Sequence, residues 1–427
     1  MCLELGIPKC VTYFPAHDKL THLGMSSITI GVFFGGPSPE HEVSVISGIQ
    51  ALSALREQGS TVHSVYVSKS GRWFVGDGLD DIANYATLDA LLKKATEVSL
   101  APGPGRKLRL IPLKTSFLGN KTELSIDVAF LAFHGGVGEN GAVQGLCESL
   151  GVPYTGSGVL ASAAGMDKVV AKRLCRDMNL PVVDWISSTD GQWEGHEDEE
   201  MDRIEREIGW PAIVKPVHLG SSIGIARVTN RKELEEAMEE AFRYDASVMV
   251  EKCVANLREI NCSVLGTADS CRVSVLEEPI SADGTLSFQD KYMRQGEISG
   301  KGGSKSSSQG MASLQRRIPA PVPDEVADRV RLLAEGVFQA LDGCGVARID
   351  FLMDDETKEV WFNEINTIPG SLSFYLWEPS GVPFSELVNT LISLAVERFE
   401  SRVRRVRSFD VNLLEKRAIQ GLKGSKS

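Results

Sequence analysis

The chain has 427 residues, enough for two or three domains with cores of their own. Its 42% hydrophobic and 24% charged residues are the composition of a folded globular protein, and a net charge of −12 argues against broad binding to nucleic acid or acidic membranes. No apolar run approaches the roughly 20 residues of a membrane span, and eight scattered cysteines without a CxxC pair read as reduced thiols of a cytoplasmic protein.

Residues 1–24 have no periodicity and no long apolar core, so they read as an extension or a misplaced start and not as a signal peptide. Met25 stands directly before SSITIGVFFGG, and residues 28–34 are the continuous apolar, β-rich run of a buried parallel strand. Gly35-Gly36-Pro37-Ser38 ends that strand, and PEHEVSVISGIQALSALREQG follows as a helix. Strand, glycine turn and helix put backbone N–H groups and Glu40 at the carboxyl edge of a sheet, where open α/β folds bind ligands. A plain βα turn is the commoner use of the pattern. VHSVYVS and then DVAFLAFHGGVGENGAVQGLCESLG repeat it, with His134 at a strand end as a site candidate beside the structural role more usual for a lone histidine.

GVPYTGSGVLASAAGMDKVVAKRLCRDMNLPVV opens a second region, in which Lys168 and Lys172 are one helical turn apart and by themselves read as a solvated face. WPAIVKPVHLGSSIGIARV is a strand, a glycine/serine loop and a returning strand. Lys215 at the strand end and the GSSIG backbone suit phosphate oxygens. This is not a Walker loop, since no GxxxxGK[ST] occurs in the chain. VMVE, 248–251, runs to a strand end as a nucleotide hinge does, and INCSVLG and RVSVLEEPI continue an antiparallel sheet.

Residues 293–314 form a Gly/Ser/Lys tract of linker composition, and a loop this long inside a compact domain is either disordered or a lid. Lys291 and Tyr292 at its root would be delivered to the site on closing. A helix, DEVADRVRLLAEGVFQALDG, leads to residues 347–370, ARIDFLMDDETKEVWFNEINTIPG, which read as two strands joined by an acidic turn. Alternation puts Glu364 and Asn366 on one face, and antiparallel pairing brings Asp350 and Arg348 to it. Asp, Glu and Asn offer oxygen ligands only, the kit for magnesium shared with nucleotide phosphates; the plainer alternative is a solvated hairpin with an acidic face. The amphipathic helix PFSELVNTLISLAVERFESRVRR and a basic tail, 403–427, finish the chain.

Four stretches, GGPSPEHEVSVISG, HGGVGENGAVQGLCESLGVPYTGSGVLASAAGMDK, VKPVHLGSSIGIARV and ARIDFLMDDETKEVWFNEINTIPG, together resemble the D-alanine–D-alanine ligases of the ATP-grasp superfamily, in order from about residue 28 to about 399. The resemblance implies an ATP-grasp fold, α/β and α+β, with a Rossmann-like N-terminal domain at 25–150. A central subdomain would occupy 151–245 and a C-terminal subdomain 246–402, with a lid loop at 293–314. It implies a ligase that joins two D-alanines through an acyl phosphate for peptidoglycan synthesis. ATP, two magnesium ions (or manganese in their place) and a homodimer paired through the first domain come with it.

By the same resemblance, Glu40 holds the ammonium of the first amino acid, with His134 nearby. Lys168, Lys215 and Lys291 take ATP phosphates, and Ser221, with Ser222 beside it, closes the loop next to Glu40 and Tyr292. Glu251 starts the adenine hinge and Glu259 binds ribose, although the expected GRE stands here as Leu257-Arg258-Glu259 with an extra residue before it. Asp350, Glu364 and Asn366 match the metal ligands, and Arg348 with the Gly370 amide the oxyanion-stabilising pair. The family's small hydroxyl residue, which holds the second substrate's carboxylate, is replaced by Tyr375, with Ser371 and Ser373 nearby. A ligase for a different second substrate (D-serine, D-lactate or another amino acid) is therefore the alternative. A nucleotide-binding module without catalysis would need a missing lysine or metal ligand, and none is missing.

Overall fold

A computed structural model describes residues 28–114, 123–280 and 316–406 of the chain. Among the described residues the strands form three sheets, of seven, four and five strands.

The first sheet contains β1 (Thr29–Gly35), β2 (Thr61–Val67), β3 (Trp73–Val75), β4 (Thr96–Pro102), β5 (Leu108–Pro112), β6 (Leu124–Ile126) and β7 (Val128–Leu131), in the order β6-β5-β4-β3-β2-β1-β7. β1 runs parallel to both β2 and β7, while the strands from β2 out to β6 are antiparallel. The parallel centre follows from the crossover helix α1 (His41–Glu57), which returns the chain to the same end of the sheet. β1 is buried from Ile30 to Gly35, as a central parallel strand covered on both faces must be. α1 lies close on it: a Cβ on Gly48 would come within 2.4 Å of the Phe34 ring, so only glycine permits that approach.

The second sheet is antiparallel, in the order β10-β9-β11-β8, from β8 (Trp185–Thr189), β9 (Ala212–Pro216), β10 (Ala226–Val228) and β11 (Ser247–Lys252). The third, also antiparallel, contains β12 (Leu257–Thr267), β13 (Ser270–Pro279), β14 (Arg316–Arg317), β15 (Cys344–Asp354) and β16 (Val360–Asn366), in the order β14-β13-β12-β15-β16. The strand VMVE is part of β11 and pairs in the second sheet, whereas INCSVLG and RVSVLEEPI lie in β12 and β13 of the third. The change of sheet falls between Lys252 and Leu257.

Four further helices bear on the site or its support: α2 (Lys168–Asp177), α3 (Arg231–Phe242), α4 (Asp324–Ala340) and α5 (Phe384–Val403). α4 carries Val326, Val330, Leu333 and Val337 at helical spacing, and all are buried in one cluster with Ile260, Val264 and Ile349 of the third sheet. Each such side chain is worth about 2 kcal/mol on burial. α3 packs Leu234, Met238 and Ala241 on the second sheet. The C-terminal helix α5 joins the core of the first sheet through Leu387, Leu391 and Ile392, so the two ends of the described chain share one core. No described helix is long and apolar enough to cross a membrane, and the described cysteines are free thiols.

Candidate active site

The second and third sheets face each other across a cleft of about 990 Å³ including its open mouth. Lys215 of β9 and Glu251 of β11 line one wall; Glu259 of β12, Asp350 of β15 and Glu364 of β16 line the other, with Ser222 of the glycine/serine loop also lining the cleft.

The β15–β16 hairpin has the register its alternation predicts: Arg348 opposes Asn366 and Asp350 opposes Glu364. Arg348 donates both Nε and Nη2 to the two oxygens of Asp350, at 2.7 Å each, and Asn366 donates Nδ2 to Asp350 at 3.2 Å. A bulge follows, because Phe351 pairs with Phe362 and skips Asn363. The extra residue is put to use: the Asn363 amide oxygen accepts from Lys215 Nζ at 3.2 Å, linking the two walls.

Lys168 and Lys172 do not form the solvated face that their spacing suggests. Lys168 is 6% exposed and Lys172 wholly buried. Lys172 Nζ lies 2.7 Å from Glu251 Oε2, and Lys215 ion-pairs with Oε1 of the same carboxylate. Burial pushes the Glu251 carboxyl up, but the two ammoniums outweigh it and hold the group at about 2. Lys168 donates to the Leu219 carbonyl at 2.5 Å and stands 3.4 Å from Glu364. Lys168 and Lys215, beside the buried Lys172–Glu251 pair, bring positive charge to the cleft opposite Asp350 and Glu364.

At the other end of the cleft, the 219–224 loop is held in an unusual backbone. Ser221 and Ser222 have φ of 56° and 60°, the left-handed region that non-glycine residues rarely adopt. Ser221 Oγ donates to Glu40 Oε1. Glu40 stands in the turn after β1, just before α1. A Cβ on Gly135, at φ +64°, would come within 2.6 Å of Glu40 Oε2, so that glycine is needed for its backbone as well as for room.

His134 does not turn a ring nitrogen toward the cleft. Its Nδ1 lies 2.7 Å from the Ile368 carbonyl and its Nε2 2.7 Å from Ser47 Oγ. One tautomer satisfies all partners: Nδ1–H donates to the carbonyl, and Nε2 accepts from the Ser47 hydroxyl. Ser47 Oγ then accepts from the Ser371 amide at 2.9 Å. Burial holds the His134 imidazole down at about 4, neutral at ordinary pH. Glu139 makes a parallel connection, accepting from the Gly135 amide at 2.9 Å, the Ile368 amide at 2.9 Å and the Thr367 hydroxyl at 3.3 Å. Burial, and then the charge of Glu40, push its carboxyl up to about 7. Ser47 and Glu139 are support that sequence reasoning passes over, and Lys172 is support that it reads as a solvated side chain. Only Glu139 carried a signal, its place within a glycine-rich turn after a strand.

The turn that starts at Gly370 puts Ser371, Leu372 and Ser373 in succession at φ of 51° to 53°, a strained left-handed run. Leu372 is buried in the first core and anchors it. The Ser371 and Ser373 hydroxyls are buried without a hydrogen-bond partner among the described residues. Tyr375 is buried too. Its hydroxyl donates to Glu277 Oε1 at 3.3 Å, and the Arg316 guanidinium lies 3.9 Å from its ring centroid. Glu277 also receives Arg316 at 2.8 Å and Asn261 at 3.0 Å. Of the candidates from the sequence, Lys291, Tyr292 and the 293–314 tract lie outside the described residues. Of the rest, Lys215, Ser222, Glu251, Glu259, Asp350 and Glu364 line the cleft, Lys168 stands beside Glu364, and Arg348 and Asn366 bond to Asp350.

Among the described residues no three His, Cys, Asp or Glu side chains converge as a closed metal cluster. Asp350, Glu364 and Asn366 nonetheless fit magnesium. They are hard oxygen donors, and magnesium usually takes one or two carboxylates and completes its shell with phosphates and water.

The family model described as D-ala D-ala ligase N-terminus matches residues 29–157, and that described as D-ala D-ala ligase C-terminus matches residues 174–393. A D-alanine–D-alanine ligase of Thermosipho melanesiensis is 38% identical over 388 residues, which span 91% of this chain and 98% of that relative. The structure of the D-alanine–D-alanine ligase from Coxiella burnetii matches with a TM-score of 0.71 at 29% identity, covering 89% of this chain and 97% of the other. The crystal structure of the VanG D-Ala:D-Ser ligase from Enterococcus faecalis matches with a TM-score of 0.71 at 28% identity, covering 86% and 99%. The chain belongs to the D-alanine–D-alanine ligase family and has its ATP-grasp fold.

Proposed function

We propose that the protein is an ATP-dependent ligase that joins two D-alanines into D-alanyl-D-alanine for peptidoglycan synthesis. The observation that carries this reading is the facing of two walls across one cleft, Lys168, Lys215 and Glu251 against Asp350, Glu364 and Arg348, in a member of this family.

A carboxylate is a poor electrophile, so it must be activated. An oxygen of the first D-alanine's carboxylate attacks the γ-phosphorus, the bond to ADP breaks, and an acyl phosphate forms. The amine of the second D-alanine attacks the acyl carbon, and the tetrahedral oxyanion collapses with loss of phosphate, the amine's proton passing to phosphate or solvent.

Lys168 and Lys215 bind the triphosphate oxygens, and the backbone around Ser221 and Ser222 wraps them. Glu251 orients Lys215 at the head of the adenine hinge, and Glu259 takes the ribose. Glu40 holds the first ammonium. His134 acts one residue removed, since it fixes Ser47 and through it the Ser371 amide. Arg348 and the Gly370 N–H face the oxyanion, a contribution of about 3 kcal/mol per donor. The Ser371 or Ser373 hydroxyl, each buried without a partner among the described residues, takes the second carboxylate. Asp350, Glu364 and Asn366 would hold two magnesium ions, which neutralise phosphate charge when bound. We assign the protein to the cytoplasm and infer a homodimer paired through the first domain, which sedimentation tests.

The decisive experiment supplies the purified protein with ATP, magnesium and D-alanine alone, or D-alanine with D-serine, D-lactate or L-amino acids, and reads phosphate release and product mass. D-alanyl-D-alanine from D-alanine alone is expected. Its absence, with a mixed product from a mixed pair, overturns the choice of substrate.

A further inference from the structure

Outside the catalytic set, His218 stands at the root of the glycine/serine loop between two carboxylates from two other elements. Its ring Nδ1 lies 3.0 Å from both oxygens of Asp245, in the turn before β11, and its backbone N–H donates to Asp245 Oδ2 at 2.6 Å. Its Nε2 lies 3.4 Å from Asp167 Oδ2. Asp167 is at the same time the N-cap of α2, accepting from the Val170 amide at 2.8 Å. The first residue of that helix is Lys168, whose amide donates to the Val217 carbonyl at 3.3 Å and whose ammonium donates to the Leu219 carbonyl. Asp245 also accepts from the Ser247 amide, and Val217 donates to the Ser247 carbonyl. The residues on either side of His218 are thus fastened to α2 and to β11, and the loop that reaches Glu40 through Ser221 starts from this point.

Both ring nitrogens face carboxylate oxygens. A neutral imidazole has one donor, so it would turn a lone pair toward one carboxylate; the imidazolium satisfies both. We propose that His218, as the imidazolium, is a positioning residue that clamps the root of the glycine/serine loop between Asp167 and Asp245 and so sets the loop's grip on the nucleotide's phosphates. The proposal rests on the reading of the cleft as a nucleotide site. Its consequence is a pH dependence. The charged groups acting on the ring are Asp167 on the α2 side and Asp245 on the β11 side; Lys168 points its ammonium at the Leu219 carbonyl instead. Hydrogen bonds to Asp167 and Asp245 raise the imidazole to about 9, so the clamp is closed at neutral pH and opens as the pH rises through that value.

Three variants separate the clamp from a merely structural role. His218→Gln removes the charge, His218→Arg keeps it at every accessible pH, and Asp167→Asn keeps the helix cap while losing the ion pair. At pH 7.5 the Gln and Asn variants are expected to bind ATP about fivefold more weakly by calorimetry, within the range seen for residues that act through a network, with kcat at saturating ATP little changed. Wild-type affinity should fall between pH 8 and 10, and that of His218→Arg should not. Amide hydrogen exchange at Lys168 and His218 should quicken in His218→Gln and be restored in His218→Arg. Unchanged exchange and unchanged ATP affinity in His218→Gln overturn the proposal, as does a pH profile that His218→Arg shares with the wild type. Absence of ATP binding by the wild type overturns this proposal together with the nucleotide reading. ATP binding without dipeptide overturns the proposed product only.

Discussion

Lys172 and Glu251 form a 2.7 Å ion pair in which both side chains are withdrawn from solvent, joining residues 79 apart in the chain. The pair sits behind the cleft wall, with Trp185 under the lysine at 5.9 Å and Lys215 on the other carboxylate oxygen. It has the form of a support: Glu251 is kept ionised so that Lys215 stays at the surface of the cleft.

Removing one partner leaves a buried charge half balanced. Lys172→Met is therefore expected to lower stability by about 3 kcal/mol. The double variant Lys172→Met/Glu251→Gln should not recover that loss, because Lys215, which pairs with the other Glu251 oxygen, is then left buried without its carboxylate. Urea denaturation of the three proteins measures this, and a Lys172→Met protein as stable as the wild type would show that the pair contributes nothing.

Asp350 and Glu364 are cross-strand neighbours at the cleft, and both carboxylates are needed if metal and phosphate charge are balanced there. Loss of a residue that merely supports a metal ligand typically costs 10–100-fold, so Asp350→Asn and Glu364→Gln are each expected to lower turnover by about a hundredfold or more. The circular dichroism melt of Glu364→Gln should move little, whereas that of Asp350→Asn should fall, because Asp350 carries the charge that pairs with the largely buried Arg348. Wild-type phosphate release from either variant removes the metal assignment.

The proposed seat of the second carboxylate rests on a contrast between two hydroxyls. The Tyr375 hydroxyl is engaged with Glu277, whereas that of Ser371 is buried without a described partner. Tyr375→Phe should leave KM for the second D-alanine within about threefold, because its hydroxyl donates to the Glu277 carboxylate and not to a substrate. Ser371→Ala should raise that KM by about tenfold, because a charged carboxylate loses its donor. Initial rates against D-alanine decide, and the reverse order would assign the carboxylate to Tyr375.

His134 links stability to pH. Its imidazole titrates at about 4 in the folded chain and at 6.5 as its ordinary value. Below 6.5 the unfolded chain therefore binds a proton that the native one refuses. The stabilisation is complete above pH 6.5 and is lost as the pH falls toward 4, about 3 kcal/mol at 1.36 kcal/mol per pH unit. Denaturation of the wild type and His134→Asn at pH 7.5 and pH 4.5 reads this difference; parallel losses in the two proteins would exclude His134 as its source.

Much of the site could be read along the chain, and the reason is local. Arg348, Asp350, Glu364 and Asn366 stand on two adjacent strands joined by a short turn, where alternation and antiparallel pairing together dictate which side chains share a face. Glu40, Lys215 and the GSS loop follow strand ends, where the pattern of apolar run and glycine turn marks the edge of a sheet. Lys172, Ser47 and Glu139 were beyond that reach. Helical spacing tells where Lys172 points relative to its own helix, but only packing of α2 against β11 supplies the carboxylate that lets an ammonium be buried. Ser47 meets the Ser371 amide across 324 residues, and Glu139 meets Ile368 across 229. The sequence by itself determined the strands, the turns and the chemical kit of the cleft, because these follow from periodicity and residue type. Which lysines are buried, what each ring nitrogen of His134 bonds and which serine hydroxyls have no described partner were decided by tertiary structure alone, since each depends on a group brought from a distant part of the chain.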